Sequence, residues 1–333
     1  MISSAAEACV VYTTDSSYMF PTLVSAMQAR QNTSVSKADV GIFCVDLDAQ
    51  TEDLFAAVCE REGILLMPVQ RKLIEGQTAM MARLFLDNFA PSRYTQFLYL
   101  DSDVHIEASL DPLIEAGVAD GSFLAANDPM TFLLGDRSPL SRSLEEHLNS
   151  MGFDKHQSRN YFNSGVLRIS RKGWGKIGGD AWALFQKSGL SSRFPDQDAL
   201  NQAGLEHRRP MSLAWNFPVF MRNARVEAAI KPKIVHFMSS PKPWHGVFPP
   251  WKDSAHLLYR SALDRYPSLA DFSLRMPVNR RTIYHFQQRG KQMLESVTWG
   301  YSKRRLRILD YELGCGLLPP SGLPLPDGSL VAS

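Results

Sequence analysis

Three Asp-x-Asp triplets are places where two carboxylates could act on one object: Asp46-Leu47-Asp48, Asp101-Ser102-Asp103 and Asp196-Gln197-Asp198. About one is expected by chance at average Asp usage, so context must choose among them. Asp101 directly follows the apolar run Phe97-Leu98-Tyr99-Leu100, which places the pair at the C-terminal end of a buried strand, where open α/β sheets gather their ligands. Alternate residues of an extended chain face the same side. Asp101 and Asp103 therefore aim together while Ser102 faces away, and two hard oxygen ligands so disposed suit one Mg²⁺ or Mn²⁺. Asp46 and Asp48 lead into a helix expected near Thr51, where helix capping accounts for them. The structural alternative for Asp101 and Asp103 is a turn or cap before Leu110-Asp111-Pro112-Leu113.

The elements that must position these groups alternate in the pattern of βαβ units around a mainly parallel sheet. Strands are predicted at Cys9–Thr13, Val40–Val45, Ile64–Pro68, Gln96–Leu100 and Phe123–Ala126. Between them Tyr18–Gln31, Thr51–Glu62 and Thr78–Phe89 have helical spacing, with Thr51 and Thr78 as N-caps. Further on come a strand-like Tyr161–Ile169, a helix-like Trp174–Lys187, a short helix after Pro195, and a strand-like Lys233–Phe237 before Pro241-Lys242-Pro243-Trp244. From about Asp271 the composition turns to Arg and aromatics, and 317–333 is rich in Pro, Gly and Ser. The chain thus divides into an α/β domain over residues 1–270, a basic amphipathic helical region over 271–316 and a disordered tail.

With 333 residues, 44% of them hydrophobic, the chain can bury a substantial core. Its formal net charge of +2 lacks the basic excess of a nucleic-acid binder. Cys9, Cys44, Cys59 and Cys315 show no paired spacing, which predicts reduced thiols and a reducing, cytoplasmic compartment. Residues 1–8 carry neither a basic leader nor an apolar stretch of signal length, and runs such as Ile64–Met67 are too short to span a bilayer.

The string from Phe97 to Val104 resembles the metal motif of glycosyltransferase family 8, the family of glycogenin and the bacterial lipopolysaccharide galactosyl- and glucosyltransferases. Further matches fall in family order. They are Val11-Tyr12-Thr13-Thr14-Asp15-Ser16-Ser17-Tyr18, Ala82-Arg83-Leu84, Tyr161-Phe162-Asn163-Ser164-Gly165-Val166-Leu167, Pro195-Asp196-Gln197-Asp198-Ala199-Leu200-Asn201, and finally His236 with Lys242-Pro243-Trp244-His245. The ordered series covers Val10–His245 and is far more specific than any one member. The resemblance implies a GT-A fold, a Rossmann-like mainly parallel sheet flanked by helices with the basic helical tail appended. It also implies a UDP-sugar donor carrying galactose or glucose, Mn²⁺ with Mg²⁺ as the alternative, and retention at the anomeric carbon.

Carried over residue by residue, the resemblance makes His236 the third metal ligand beside Asp101 and Asp103. Lys242 would contact the donor diphosphate, Asp15 and Tyr18 the uracil, and Ser17, Arg83, Ser102, Asn163 and Ser164 other parts of the donor. Gln197, Asp196 and Asp128 would surround the transferred sugar as the catalytic set. Each has a structural alternative: capping by Asp15, core packing by Tyr18 and His236, an i,i+4 pair of Arg83 with Asp87, a solvated loop for Lys242. Ser17 stands where relatives often have Asn and Ser239 where they usually have Gly, so donor affinity or loop shape differs there. Since an amide oxygen is a poor nucleophile, Gln197 favours front-face attack over a covalent intermediate.

Two other functions compete. A sugar nucleotidyltransferase needs a Gly-rich basic phosphate loop near the first strand, a character that Thr13-Thr14-Asp15-Ser16-Ser17 lacks. An inactive sugar-nucleotide or glycan-binding protein would not need the intact Asp101, Asp103, Gln197 and His236. In the basic region Arg280, Arg281, Arg289, Lys291, Lys303, Arg304, Arg305 and Arg307 interleave with aromatics, while Ile283, Phe286, Met293, Leu294 and Val297 keep helical spacing. Such a helix suits an anionic membrane surface and a lipid-linked glycan acceptor; the alternative is a docked helix with a solvated basic face.

Overall fold

The computed structural model describes residues 6–188 and 194–315. The tail 317–333 of the sequence reading lies outside them. Ten strands are described: β1 (Ala8–Asp15), β2 (Ala38–Val45), β3 (Leu65–Val69), β4 (Gln96–Leu100), β5 (Val104–Ile106), β6 (Phe123–Ala125), β7 (Val166–Ser170), β8 (Arg208–Pro210), β9 (Phe217–Pro218) and β10 (Ile234–His236). Seven form one sheet in the order β3-β2-β1-β4-β7-β6-β8, and β5-β10-β9 form a small second one. In the large sheet only β7 runs against its neighbours. The chain moves outward from β1 through β2 to β3, then returns to place β4 on the other side of β1. That reversal opens a crevice at the carboxyl ends of β1 and β4.

Strand alternation divides the apolar residues between two cores. Val10, Tyr12, Leu98, Leu100 and Val166 pack on one face of the large sheet, with the helices Met19–Gln31 and Ala49–Glu62. Cys9, Val11, Phe97, Tyr99, Leu167 and Ile169 pack on the other, with the helix Arg171–Ser188. All four cysteines are buried and unpaired, as their spacing predicts.

Three elements differ from the sequence expectation. The helix Ala49–Glu62 is capped by Asp48, which accepts from Thr51 N at 3.0 Å, and not by Thr51 itself. Thr78–Phe89 is a 3₁₀ stretch, Ala79–Phe85, followed by one α turn, because this segment lies under the helix Arg171–Ser188. Trp174 Nε1 donates to Arg83 O at 2.7 Å, and Gly178 packs so closely that a Cβ there would lie 2.4 Å from Leu84 O. Of Tyr161–Ile169, the first five residues leave the ladder as an irregular segment before β7, and they carry site residues.

The basic region forms two helices. In Val278–Thr298 the polar Gln288 is buried and Glu295 accepts from Asn223 Nδ2 at 2.8 Å, while Ile283, Phe286, Met293, Leu294 and Val297 are 55–74% exposed. The amphipathic face is inverted. The helix Lys303–Gly314 docks through buried Ile308 and Glu312 and through Arg304 and Arg307, both paired with Asp136. No described helix is long and apolar enough to cross a membrane.

Gly178→Ala tests the close approach of the helix to the turn that carries Arg83. Better helix propensity contributes about 1 kcal/mol, but forcing the Leu84 carbonyl aside costs up to about 3 kcal/mol. The expected result is a lower urea midpoint with an unchanged slope.

Candidate active site

Asp101 ends the buried run of β4, and its N–H continues the ladder to Gly165 O at 2.8 Å. Asp103 immediately precedes β5, whose antiparallel register sets Val104 opposite His236 of β10, while Phe237 N reaches Asp103 O at 2.9 Å. Two strand pairings thus bring residues distant in sequence to one point. Ligand atoms of Asp101, Asp103 and His236 all lie within 4.8 Å of one another. His236 Nε2 is 3.1 Å from Asp103 Oδ1 and 3.8 Å from Asp101 Oδ2.

These groups fit a divalent cation on three counts. Two carboxylates and an imidazole form a hard, oxygen-rich donor set suited to Mn²⁺ or Mg²⁺. His236 Nδ1 lies 2.9 Å from Asn216 Oδ1, and because Asn216 Nδ2 donates to Asn163 Oδ1 at 2.9 Å, the ring must donate through Nδ1. That leaves the Nε2 lone pair toward the carboxylates. Gly165 keeps the space beside them clear: a Cβ there would stand 2.3 Å from His236 Cε1 and 2.8 Å from Asp101 Oδ2.

Charge balance around the cluster is local. Arg83 Nη2 is 2.8 Å from Asp101 Oδ1, and its Nε is 3.0 Å from Asp196 Oδ2, at ion-pair distance though the N–H is not aimed for a hydrogen bond. Burial alone would make Arg83 easier to deprotonate, but Asp101, Tyr99 and Asp196 hold its pKa above the usual arginine value. Lys242 Nζ pairs with Asp103 Oδ2 and reaches Phe237 O. Burial would raise the Asp103 carboxyl, yet Lys242, joined by His236 when the ring carries a proton on Nε2 as well, outweighs it and holds it well below the ordinary range.

Beside the cluster lies an amide–carboxylate network. Asp128 Oδ2 accepts from Asn163 Nδ2 and Gln197 Nε2, both at 3.0 Å. Gln197 Oε1 accepts from Asn163 Nδ2 and Ser164 N, both at 3.1 Å. Burial raises the Asp128 carboxyl against the pull of its donors. Asp196 and Asp198 are the second and fourth residues of the helix Pro195–Gly204 and diverge: Asp196 faces Arg83, and Asp198 takes Tyr161 OH at 2.5 Å and lies 3.1 Å from His147 Nε2.

Across the crevice, Asp15 Oδ1 caps the turn Ser16–Tyr18, accepting from Ser17 N at 3.0 Å and Tyr18 N at 3.3 Å. Tyr18 is 42% exposed, so the core-packing alternative fails; its ring meets Trp244 edge-on at 5.8 Å. Asp101–Asp103 is not extended as the sequence implied: Ser102 and Asp103 form a turn between β4 and β5, and Ser102 Oγ accepts from Thr22 Oγ1 at 2.8 Å. Arg83 does not pair with Asp87, which binds Arg171 instead.

Sequence reasoning passed over several contributors. Tyr99 OH donates to Asp101 Oδ1 at 3.1 Å, Asn216 orients His236, and Trp244 Nε1 is buried with no partner among the described residues. Tyr99 lies within Phe97–Val104, where its hydroxyl sets it apart from the apolar residues around it. Asn216 has no spacing signal.

Residues 9–247 match glycosyl transferase family 8. The chain belongs to this family. The family 8 chain is 23% identical over 176 residues to lipopolysaccharide glucosyltransferase WaaO of Escherichia coli (strain K12), a match spanning 50% of the chain and 49% of the relative. Among solved structures it is similar to the bifunctional glycosyltransferase WbbM, with a TM-score of 0.62 at 16% identity over 82% of this chain and 52% of that one. It is also similar to the galactosyltransferase LgtC, solved with donor and acceptor sugar analogues, with a TM-score of 0.55 at 19% identity over 83% of this chain and 99% of that one. At these identities the structural likeness establishes the fold, GT-A, as the sequence resemblance implied.

Gly165→Ala should abolish Mn²⁺ binding measured by calorimetry while the far-ultraviolet circular dichroism stays native. Asp48→Ala, which removes a helix cap, should lower the melting temperature slightly and leave that binding intact. Loss of Mn²⁺ binding in Asp48→Ala would reassign the site to the wrong triplet.

Proposed function

We propose that the protein moves a hexose, galactose or glucose, from a UDP-sugar to a hydroxyl of a glycan or lipid-linked glycan, with retention, in lipopolysaccharide or polysaccharide biosynthesis. The observation that carries this reading is the convergence of Asp101, Asp103 and His236 at the carboxyl end of β4, with Gly165 leaving room beside them. Those three residues would hold Mn²⁺ or Mg²⁺, which when bound supplies Lewis acidity toward the donor diphosphate.

The chain's own groups do the remainder. Asp15, Ser17 and Tyr18 line the entrance where the uracil would sit, Tyr18 offering an exposed ring for stacking. Lys242, a point charge on a flexible stem, exchanges Asp103 for phosphate oxygens and stabilises UDP as it leaves. Arg83, planar and buried, stays with Asp101 and Asp196 and keeps both carboxylates aimed. Ser102, Asn163 and Ser164 complete the donor contacts, while Asp128 and Asp196 take the sugar hydroxyls.

Gln197 is poorly placed to act as a nucleophile. Both acceptor positions of its Oε1 are occupied, by Asn163 and by Ser164 N. This supports front-face transfer. The acceptor oxygen bonds to the anomeric carbon from the leaving-group side as the carbon–phosphate oxygen bond breaks. Its electron pair departs with UDP, and the acceptor proton passes to a donor phosphate oxygen. A UDP-release assay across UDP-sugars, with and without Mn²⁺, followed by NMR of the product anomer, should give metal-dependent release with one sugar and a retained configuration. A glycosyl adduct isolated on Asp196 would overturn the mechanism.

The inverted helix Val278–Thr298 supports a peripheral location on the cytoplasmic face of a membrane. Exposed apolar residues along one side, flanked by exposed Arg280 and Arg289, form a surface for anionic lipid. Because Trp299, Ile308 and Glu312 are buried, truncation after Asp271 would also strip the body, and surface substitutions are the cleaner probe. Phe286→Ser with Met293→Ser and Leu294→Ser should end cosedimentation with phosphatidylglycerol vesicles while UDP release on a soluble acceptor persists. Undiminished cosedimentation would exclude this face.

A further inference from the structure

The helix Lys303–Gly314 reaches the two segments that support the site through consecutive residues. β6 and β8 run in parallel register as far as Ala125 opposite Pro210, where Met211 N donates to Ala125 O at 3.1 Å. The next bond of a parallel ladder would run from Asn127 N to Met211 O. The Tyr311 hydroxyl is inserted at that place. It accepts from Asn127 N at 3.1 Å and from Arg208 Nη2 at 3.0 Å, and donates to Met211 O at 2.7 Å.

Beyond this splice the two chains part. One goes directly to Asp128, whose carboxylate holds Asn163 and Gln197. The other runs through the turn Leu213–Trp215 to Asn216, which orients His236. Glu312, buried, accepts from Ser212 Oγ at 2.6 Å and from Leu213 N at 2.7 Å, and Ser212 Oγ in turn caps the turn by accepting from Ala214 N at 3.0 Å. The same helix is anchored independently by Ile308, by the Tyr311 ring against Phe132 at 5.7 Å, and by Arg304 and Arg307. The polar atoms of Tyr311 and Glu312 are therefore separable from its packing.

We propose that Tyr311 and Glu312 are positioning residues of the transferase site: they fix how far the Asp128 and Asn216 segments diverge, and so aim the sugar-side network and the His236 ring. This rests on the metal and sugar-nucleotide reading above. Tyr311 acts mainly on the Asp128 side and Glu312 on the His236 side. Burial pushes the Glu312 carboxyl up to about 7, so an amide can stand in for it near neutrality.

The test uses the full chain with Tyr311→Phe, Glu312→Leu and Glu312→Gln, reading Mn²⁺ affinity from the electron paramagnetic resonance of free Mn²⁺ and turnover from UDP release to a soluble acceptor. Glu312→Leu should weaken Mn²⁺ binding about tenfold, the size of outer-sphere effects on metal sites, and Glu312→Gln should retain most of the affinity. Tyr311→Phe, which keeps the ring contact, should lower kcat about tenfold with little change in the donor KM. Leu306→Ser, exposed on the same helix, is the control and should change neither. Lower thermal stability with unchanged Mn²⁺ affinity and unchanged kcat would reduce both residues to packing and overturn the inference; if Glu312→Leu fails to fold, Tyr311→Phe decides. A wild-type chain that binds neither Mn²⁺ nor any sugar nucleotide would bring down the reading of the site itself.

Discussion

Two carboxylates and an imidazole confined to one small volume set the terms for the rest of this fold. Like charges about 4 to 5 Å apart repel by roughly 3 to 4 kcal/mol at an effective dielectric of about 20, and burial adds the cost of lost water. Arg83 on Asp101 and Lys242 on Asp103 supply the compensation. They differ in kind. Arg83 is held by Ser164, Asp101 and Asp196 beneath the helix Arg171–Ser188, whereas Lys242 comes from a loop on a flexible stem. Arg83 is a planar fork shared among several partners, and Lys242 a point charge held by one carboxylate and the Phe237 carbonyl.

Orientation then spreads from the cluster as a chain of hydrogen bonds whose directions are forced. His236 gives to Asn216, Asn216 to Asn163, and Asn163 to both Asp128 and Gln197. Every amide in the series has its carbonyl and its NH₂ assigned, so no flip is possible without leaving a buried group unpaired. The carboxylate–imidazole cluster and the amide–carboxylate network beside it are thus joined in one run of hydrogen bonds.

The readable part of the site was the part that strand geometry controls. The run Phe97–Leu100 implied a buried strand, which β4 is, and the ordered motifs supplied His236; Asp101 and Asp103 do converge, but across the turn between β4 and β5 and not by strand alternation. Less visible was whatever depends on packing between distant segments. The stretch Thr78–Phe89 has helical spacing, yet the approach of Trp174 and Gly178 tightens it to 3₁₀, and that redirects Arg83 from Asp87 to Asp101. Asn216 and Tyr311 carry no periodic or compositional mark: Asn216 acts through His236, 20 residues on, and Asn163, 53 residues back, and Tyr311 bridges Asn127 and Met211, 184 and 100 residues before it. The apolar stripe of Val278–Thr298 was evident in its spacing. Its outward direction was not, since spacing defines a face without saying what lies opposite.

The splice at Tyr311 has a bearing on how the molecule is made. Strands emerging from the ribosome can pair as soon as both partners are out, and β4, β5, β7 and β10 all precede the basic helices in the chain. The hydroxyl bridge from Asn127 N to Met211 O comes last in that order, because it is contributed by Tyr311. A chain that has emerged only as far as β10 lacks that hydroxyl, which arrives with the last turn of the Lys303–Gly314 helix.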